Sequence, residues 1–315
     1  MITVGLSLLV AAALPVAEPQ WKHQPQAVLA LSVGERPVFA YRFAKDEGTP
    51  CFHPLAVQGH TMTELSPADH AWHRALWFVW KYVNDANFWD WTEEKKGVIT
   101  GKTRLAGQER FTSSPAGGVL EMNLEYVAAE KVLLAERRVL AMGLPRDDGS
   151  YSIDWQMTFT APQQDALFER TPPEKFAHGG YAGLSYRAAK MRDVQVLDGE
   201  GRKDMAGHGK PARWMDLSGT LDPQGPVAGL AMFDHPSNPR HPTPWFIVMK
   251  GFAYINPAFL FAEPYTLPAG KSLTLRYRVF VHPGRPEVDR LEKEYEAFKG
   301  FRPAAVPTRR RATAG

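Results

Sequence analysis

The sequence predicts an all-β protein, one large antiparallel β-sandwich closed by a short C-terminal helix. Three observations carry that prediction. Between Gly97 and Phe159 apolar and polar residues alternate with period two, as strands with one buried face require. Glycine and proline, 26 of each, are spread along the chain instead of gathered into a linker, which suits many turns between strands. Helical periodicity is confined to the end, where Val288, Leu291, Tyr295 and Phe298 follow Pro286 and precede Gly300. No internal repeat or linker divides residues 18–302, so they read as a single domain, within the size a β-sandwich reaches.

Taken in order, residues 1–17 (MITVGLSLLVAAALPVA) are the one uninterrupted apolar run. The run is short for a membrane span and ends in small residues, as a secretory signal does, with Ala11-x-Ala13 or Val16-Ala17 before the cleavage point. It lacks the basic residue usual at such a start, and a structured strand is the alternative reading. The expectation is a periplasmic or secreted protein with no stable membrane span. The single cysteine, Cys51, excludes an intramolecular disulfide, so an exported chain depends on a large core. Residues 27–33 and 37–41 read as strands around the turn Gly34-Glu35-Arg36, and Cys51–Val57 as a third. Ser66-Pro67-Ala68-Asp69 has the form of a helix start, which would put His70 and His73 on one face. Residues 75–83 (ALWFVWKYV), apolar on both faces apart from Lys81, read as a central strand covered on both sides.

Strands follow at 97–105, 118–127, 132–142 and 151–160, with Pro145-Arg146-Asp147-Asp148-Gly149 as a turn. Residues 162–180 form a polar, proline-rich loop ending in His178-Gly179-Gly180-Tyr181, long enough to suggest a role. Strand signals resume at 183–187, 193–197, 214–219 and 227–233, and again at 246–250, 259–263 and 272–281. The four prolines between Asp234 and Trp245 forbid regular structure there. Residues 303–315 read as a disordered basic tail. The net charge is +3, part of it in Arg309, Arg310 and Arg311; without that tail the body is near neutral, and a nucleic-acid partner has no electrostatic support.

Candidate chemistry is concentrated in residues 51–91. Four of the ten histidines (His53, His60, His70, His73) and five of the nine tryptophans (Trp72, Trp77, Trp80, Trp89, Trp91) fall there, with Glu64, Asp69, Arg74 and Asp90. Groups that titrate near neutrality among large aromatic surfaces are what a lined pocket looks like in one dimension. A second cluster, Asp234-His235 with Arg240-His241, has the same composition. Both clusters suit acid–base work around a hydroxyl-rich ligand, with the arginines fixing oxygens. Both also suit a carboxylate merely orienting a buried imidazole. His70-x-x-His73 is a weak metal spacing without an HExxH or CxxC element; if a divalent metal binds, its ligands would be His70, His73, His235 and His241. Glu263, an acid before a proline at the end of an apolar stretch, is either a sheet-edge catalytic group or a solvated turn residue. GxSxG, GxGxxG and Walker patterns are absent, so no nucleotide cofactor is expected.

Four segments, FHPL (52–55), SPADHAWHRALWFVWKYVNDANFW (66–89), GLSYR (183–187) and DHPSNPRHPTPW (234–245), resemble the PmoA-like family of bacterial proteins over about residues 25–285. That resemblance implies a fold more than an activity. AEPYTLPAGKSLTLRYRVFVHPG (262–284) resembles the last strands of galactose mutarotase-like supersandwiches, with Ala262 in place of a leucine. It implies Glu263 as catalytic base and His73, His178 or His241 as its acid partner. The expected function is thus an exported carbohydrate-active enzyme needing no cofactor. Glu263, His73, His241 and His178 would be its catalytic candidates, with His53, Asp69, His70, Arg74, Trp72, Trp89, Asp234, His235, Arg240 and Trp245 binding the sugar or glycan. A non-catalytic glycan-binding module and a histidine-ligated metal-dependent oxygenase or hydrolase are the alternatives.

Overall fold

The structure, a computed structural model, describes residues 18–90 and 97–302. The leader, Trp91 and the basic tail lie outside the described residues. Two large antiparallel sheets face each other. The first runs, in spatial order, Pro19–Gln24, Val28–Val33, Arg36–Arg42, Cys51–Val57, Leu76–Val79, Gly183–Arg187, Tyr254–Pro257 and Trp245–Val248, with His60–Thr61 paired to Cys51–Val57. The second runs Lys102–Leu105, Gly117–Ala128, Lys131–Gly143, Tyr151–Thr160, Ser272–Pro283, Val227–Asp234, Trp214–Leu221 and Met191–Asp198, with Arg110–Ser114 paired to Gly117–Ala128. The core lies between them. Tyr41 and Phe52 of the first sheet meet Trp155 of the second at ring separations of 6.2 and 5.6 Å, and Phe78 meets Phe159 at 5.4 Å. The antiparallel β-sandwich read from the alternation is the observed architecture.

The helix Val288–Lys299 lies where the 3.6-residue spacing put it. Leu291, Tyr295 and Phe298 bury their side chains against Trp214, Ala231, Phe233 and Phe280 of the second sheet. No helix among the described residues is long and apolar enough to cross a membrane.

Four local expectations are corrected. Residues 75–83 are not one strand. Leu76–Val79 pairs on both sides, but the chain then leaves the sheet, and Tyr82–Val83 joins a small sheet with Ala86–Asn87, Ile99–Thr100, Ala166–Glu169 and Tyr265–Leu267. Trp80 marks the exit, stacked on Phe168 of that small sheet at 4.4 Å and 8°. Residues 66–73 form two successive turns rather than a helix. Ser66 sits at φ 47° with its N–H donated to the His73 carbonyl, and its hydroxyl accepts from Arg74 instead of capping. Residues 259–263 are a turn rather than a strand, because Arg240 takes the carbonyls a neighbouring strand would use. Its guanidinium donates to the oxygens of Phe259 and Glu263 at 2.9 Å each, and to Pro264 at 2.7 Å. The strand there is Tyr254–Pro257, and Ala166–Glu169 breaks the expected long loop.

Candidate active site

Strand parity decides where the site lies. Ser185 pairs with Trp77, Arg187 with Tyr254 and Tyr254 with Val248, and cross-strand partners share a face. Phe78, on the opposite parity, packs inward on Phe159. Trp77, Ser185, Arg187, Tyr254, Val248 and Phe246 therefore form the outer face of the first sheet, turned away from the second. A cavity of about 490 Å³ rests on that face. Phe246, Val248 and Tyr254 line its floor, and four chain segments wall it: His70, Trp72 and His73 from the double turn, Lys81 to Asp90 after the strand exit, Thr171, His178 and Tyr181 from the long loop, and Phe252 from the turn before Tyr254.

The first wall is tightly ordered. His70 and His73 stack at 4.5 Å, and His73 also lies on Tyr254 at 5.7 Å and against Trp77 at 5.4 Å. His70 Nδ1 pairs with Asp69 at 2.9 Å. Burial acts to raise the Asp69 carboxyl, but hydrogen bonds from His70 and Arg187 outweigh it and hold the group below the usual range. His73 is 5% exposed. Burial pushes its imidazole down to about 3, with His70, Arg187 and Lys81 adding positive charge and Asp69 opposing them. The ring is neutral near neutral pH.

Opposite stands a Lys81–Tyr181 pair. The Lys81 ammonium, 3% exposed, donates to the Tyr181 phenol oxygen and lies 3.9 Å from the ring centroid. Burial pushes the Tyr181 phenol up, and the Asp90 carboxylate and Tyr82 push it further. Asp90 accepts from Asn87 Nδ2 at 3.1 Å, and its backbone N–H donates to Asn87 Oδ1, so the asparagine folds the acid into the wall. The tryptophan Trp89 packs on both Trp77 and Tyr181, and its buried indole N–H has no hydrogen-bond partner among the described residues. The last turn into the cavity depends on Gly179. A Cβ there would lie 2.6 Å from backbone atoms of Thr171, Pro172 and Pro173, so only glycine lets the loop fold back with Thr171 and Tyr181 both at the cavity.

Of the residues singled out in the sequence, His70, His73, Trp72, Trp89, Asp90 and His178 line this cavity, and Asp69 supports it from behind. The others lie elsewhere. His53 bonds Thr63 at 2.9 Å, and Arg74 bonds Glu47 and Ser66 in a separate network beside Cys51. Asp234 is buried, accepting from Asn238, from the Thr243 N–H and from His241 Nδ1 at 2.8 Å. His241 also meets Tyr295 of the C-terminal helix, and His235 spans Ser237 and the Lys299 carbonyl. The second cluster therefore fastens a loop to that helix. Trp245 is fully buried, its indole donating to Ala212. Glu263 is 71% exposed and pairs with Arg240, outside the cavity.

The four histidines that would be the ligands if a divalent metal bound are not brought together. His70 and His73 form one stacked pair, while His235 and His241 hold the helix. Among the described residues no group of three or more His, Cys, Asp or Glu is placed to hold a metal ion. Lys81, Tyr181 and Arg187 were not among the residues singled out. Lys81 had a signal, as the one cation in an otherwise apolar run; Tyr181 and Arg187 had only their places beside His178 and in GLSYR.

Fold and site together define an antiparallel β-sandwich protein with an aromatic-walled, ionisable cavity on the outer face of one sheet. Residues 28–296 match the model of a family described as "Family of unknown function (DUF6807)", and the chain belongs to that family. No curated protein matches the chain. Among solved structures, one titled "Polysaccharide Lyase BACCELL_00875" is similar at 9% identity and a TM-score of 0.36, over 90% of this chain and 35% of that one. The chain thus spans about a third of that protein's length, and a likeness of that degree says nothing about activity.

Proposed function

We propose that this cavity is the active site of a carbohydrate-active enzyme that works by general acid–base chemistry. Tyr181 is the proton donor and Asp90 the accepting carboxylate. The observation that carries the reading is the Lys81–Tyr181 hydrogen bond at the cavity wall. An ammonium only donates, so the phenol oxygen accepts and its own O–H is left to serve another group. Burial keeps that O–H protonated until a ligand needs it. As the proton leaves, the ammonium already in place balances the phenolate. Trp72, Trp89, Phe246 and Phe252 supply apolar surface for the faces of sugar rings, and His70, His178 and Thr171 suit its hydroxyls. The same donor and acceptor serve epimerisation, elimination or hydrolysis. No cofactor enters this reading, and the apolar leader would place the activity outside the cytoplasm.

The test is turnover of a panel of neutral and acidic mono- and oligosaccharides, followed by mass spectrometry, with wild type and Tyr181→Phe in parallel. A positioned general acid contributes about 10²–10⁴-fold, so the variant should lose that much of kcat while its circular dichroism is unchanged. Equal turnover in Tyr181→Phe would falsify the assignment. The aromatic wall by itself favours a second reading, a glycan-binding module. Saturable binding without turnover in the wild type, abolished by Trp72→Ala, would establish that one instead.

A further inference from the structure

Arg187 ends the strand Gly183–Arg187 and does not line the aromatic cavity, yet its guanidinium touches much of what does. It is 3% exposed. Nη2 donates to both oxygens of Asp69 at 3.1 Å, and Asp69 in turn holds His70 Nδ1. Nε donates to Glu64 at 3.0 Å, Nη1 meets His73 Nδ1 at 3.4 Å, and the guanidinium carbon lies 3.9 Å from the Phe252 ring centroid. Three groups of the cavity wall, His70, His73 and Phe252, are thus held from behind by one side chain. A planar five-donor fork suits that task, and a lysine does not.

The contact with His73 also decides where that ring carries its proton. Guanidinium has no acceptor, so Nδ1 must accept, and the proton of a neutral ring sits on Nε2. Burial disfavours a second proton on this ring, and of the charged or titratable groups facing it His70, Arg187 and Lys81 add to that while Asp69 opposes them. We propose that Arg187 is the positioning residue of this cavity, locking His73 as the Nε2–H tautomer so that His73 meets a ligand as a hydrogen-bond donor. Only the consequence for turnover rests on the acid–base reading above; the tautomer does not.

Long-range proton–nitrogen correlation spectra of the ¹⁵N-histidine-labelled protein at neutral pH test this directly, with His73 assigned by its disappearance in His73→Gln. The wild type should show a bare Nδ1 and a protonated Nε2. Arg187→Met removes every donor and should let Nδ1–H become populated. Arg187→Lys, which keeps the charge but cannot span Asp69, Glu64 and His73 together, should also weaken the preference. A protonated Nδ1 in the wild type overturns the proposal, as does an unchanged tautomer in folded Arg187→Met. Should Arg187→Met fail to fold, the wild-type spectrum and Arg187→Lys decide. An Nε2–H wild type that turns over no sugar would retire the acid–base reading and leave the lock standing; turnover with Nδ1 protonated would do the reverse.

Discussion

The sharpest quantitative prediction concerns an ion pair sealed between the sheets. Glu136 and Arg138 lie on the strand Lys131–Gly143, and both side chains are inaccessible to solvent. Arg138 Nε and Nη2 meet the two Glu136 oxygens at 2.5 and 2.9 Å, while Nη1 donates to Tyr41 at 2.9 Å and Nη2 reaches the Phe78 carbonyl at 3.5 Å. Tyr126 donates to Glu136 at 3.2 Å. The pair therefore ties the second sheet to the strand whose outer side carries Trp77. Glu136→Gln leaves a guanidinium buried opposite a neutral amide, and breaking one side of such a pair costs about 3–5 kcal/mol. For a domain of this size that lowers Tm by roughly 5–8 °C. Replacing both partners, Glu136→Leu with Arg138→Met, removes both desolvation penalties along with the attraction. The double variant should be more stable than Glu136→Gln, with a coupling of about 2 kcal/mol or more. Urea unfolding followed by tryptophan fluorescence, checked against calorimetry, measures Glu136→Gln, the double variant and its two singles, Glu136→Leu and Arg138→Met. A Glu136→Gln cost under about 1 kcal/mol, or a double variant at the sum of the singles, would refute the reasoning.

Three further predictions follow from the site and its look-alike. His73 has its folded value pushed down to about 3 by burial, against about 6.5 in an unfolded chain. The unfolded state then binds more protons between those limits, so stability is complete above about pH 6.5 and falls toward pH 3, by up to about 1.4 kcal/mol per unit from this ring. His73→Gln should flatten that limb of a stability–pH curve; an unaltered slope would mean the imidazole titrates normally. Gly179→Ala forces the loop off Thr171 and Pro172, and should reduce sugar turnover more than about tenfold while unfolding shifts by only a few degrees, since the displaced loop carries Tyr181. A variant with full turnover would show that Tyr181 does not depend on that close approach. Asp234→Asn weakens hydrogen bonds from the Thr243 N–H and His241, and should cost about 1–3 kcal/mol in urea unfolding; a neutral effect would remove the case for a structural lock.

Much of the sandwich was legible because alternation reports burial directly. Cys51–Val57 and Tyr151–Thr160 fall where the pattern placed them, and the C-terminal helix follows its apolar spacing. The failures share one cause: a partner outside the local window, distant in sequence for Arg240 and Trp80 and seven residues away for Ser66, overrides a local preference. Arg240 takes the carbonyls of residues 259–264, Trp80 leaves its sheet for Phe168, and the Ser66 N–H turns to His73. Lys81 and Tyr181 are a hundred positions apart, so no window of sequence contains the pair. Arg187 was quoted in GLSYR for a resemblance, but its grip on Asp69, Glu64 and His73 exists only once three segments meet.

The two Asp–His clusters show why composition alone does not assign chemistry. Each pairs an acid with an imidazole through Nδ1 in the same way, Asp69 with His70 and Asp234 with His241. They differ at the other nitrogen. His241 Nε2 is taken by Tyr295, and His235 spends both nitrogens on Ser237 and the Lys299 carbonyl, so that cluster is closed. His70 and His73 each have one nitrogen engaged and line an open cavity, and among the described residues neither Nε2 has a hydrogen-bond partner. Neither Nε2 is a sealed atom without a partner, so water or a ligand in the cavity can complete it. An open pair of imidazoles suits a cavity with an aromatic wall around it, and a closed one suits a seat under a packed helix.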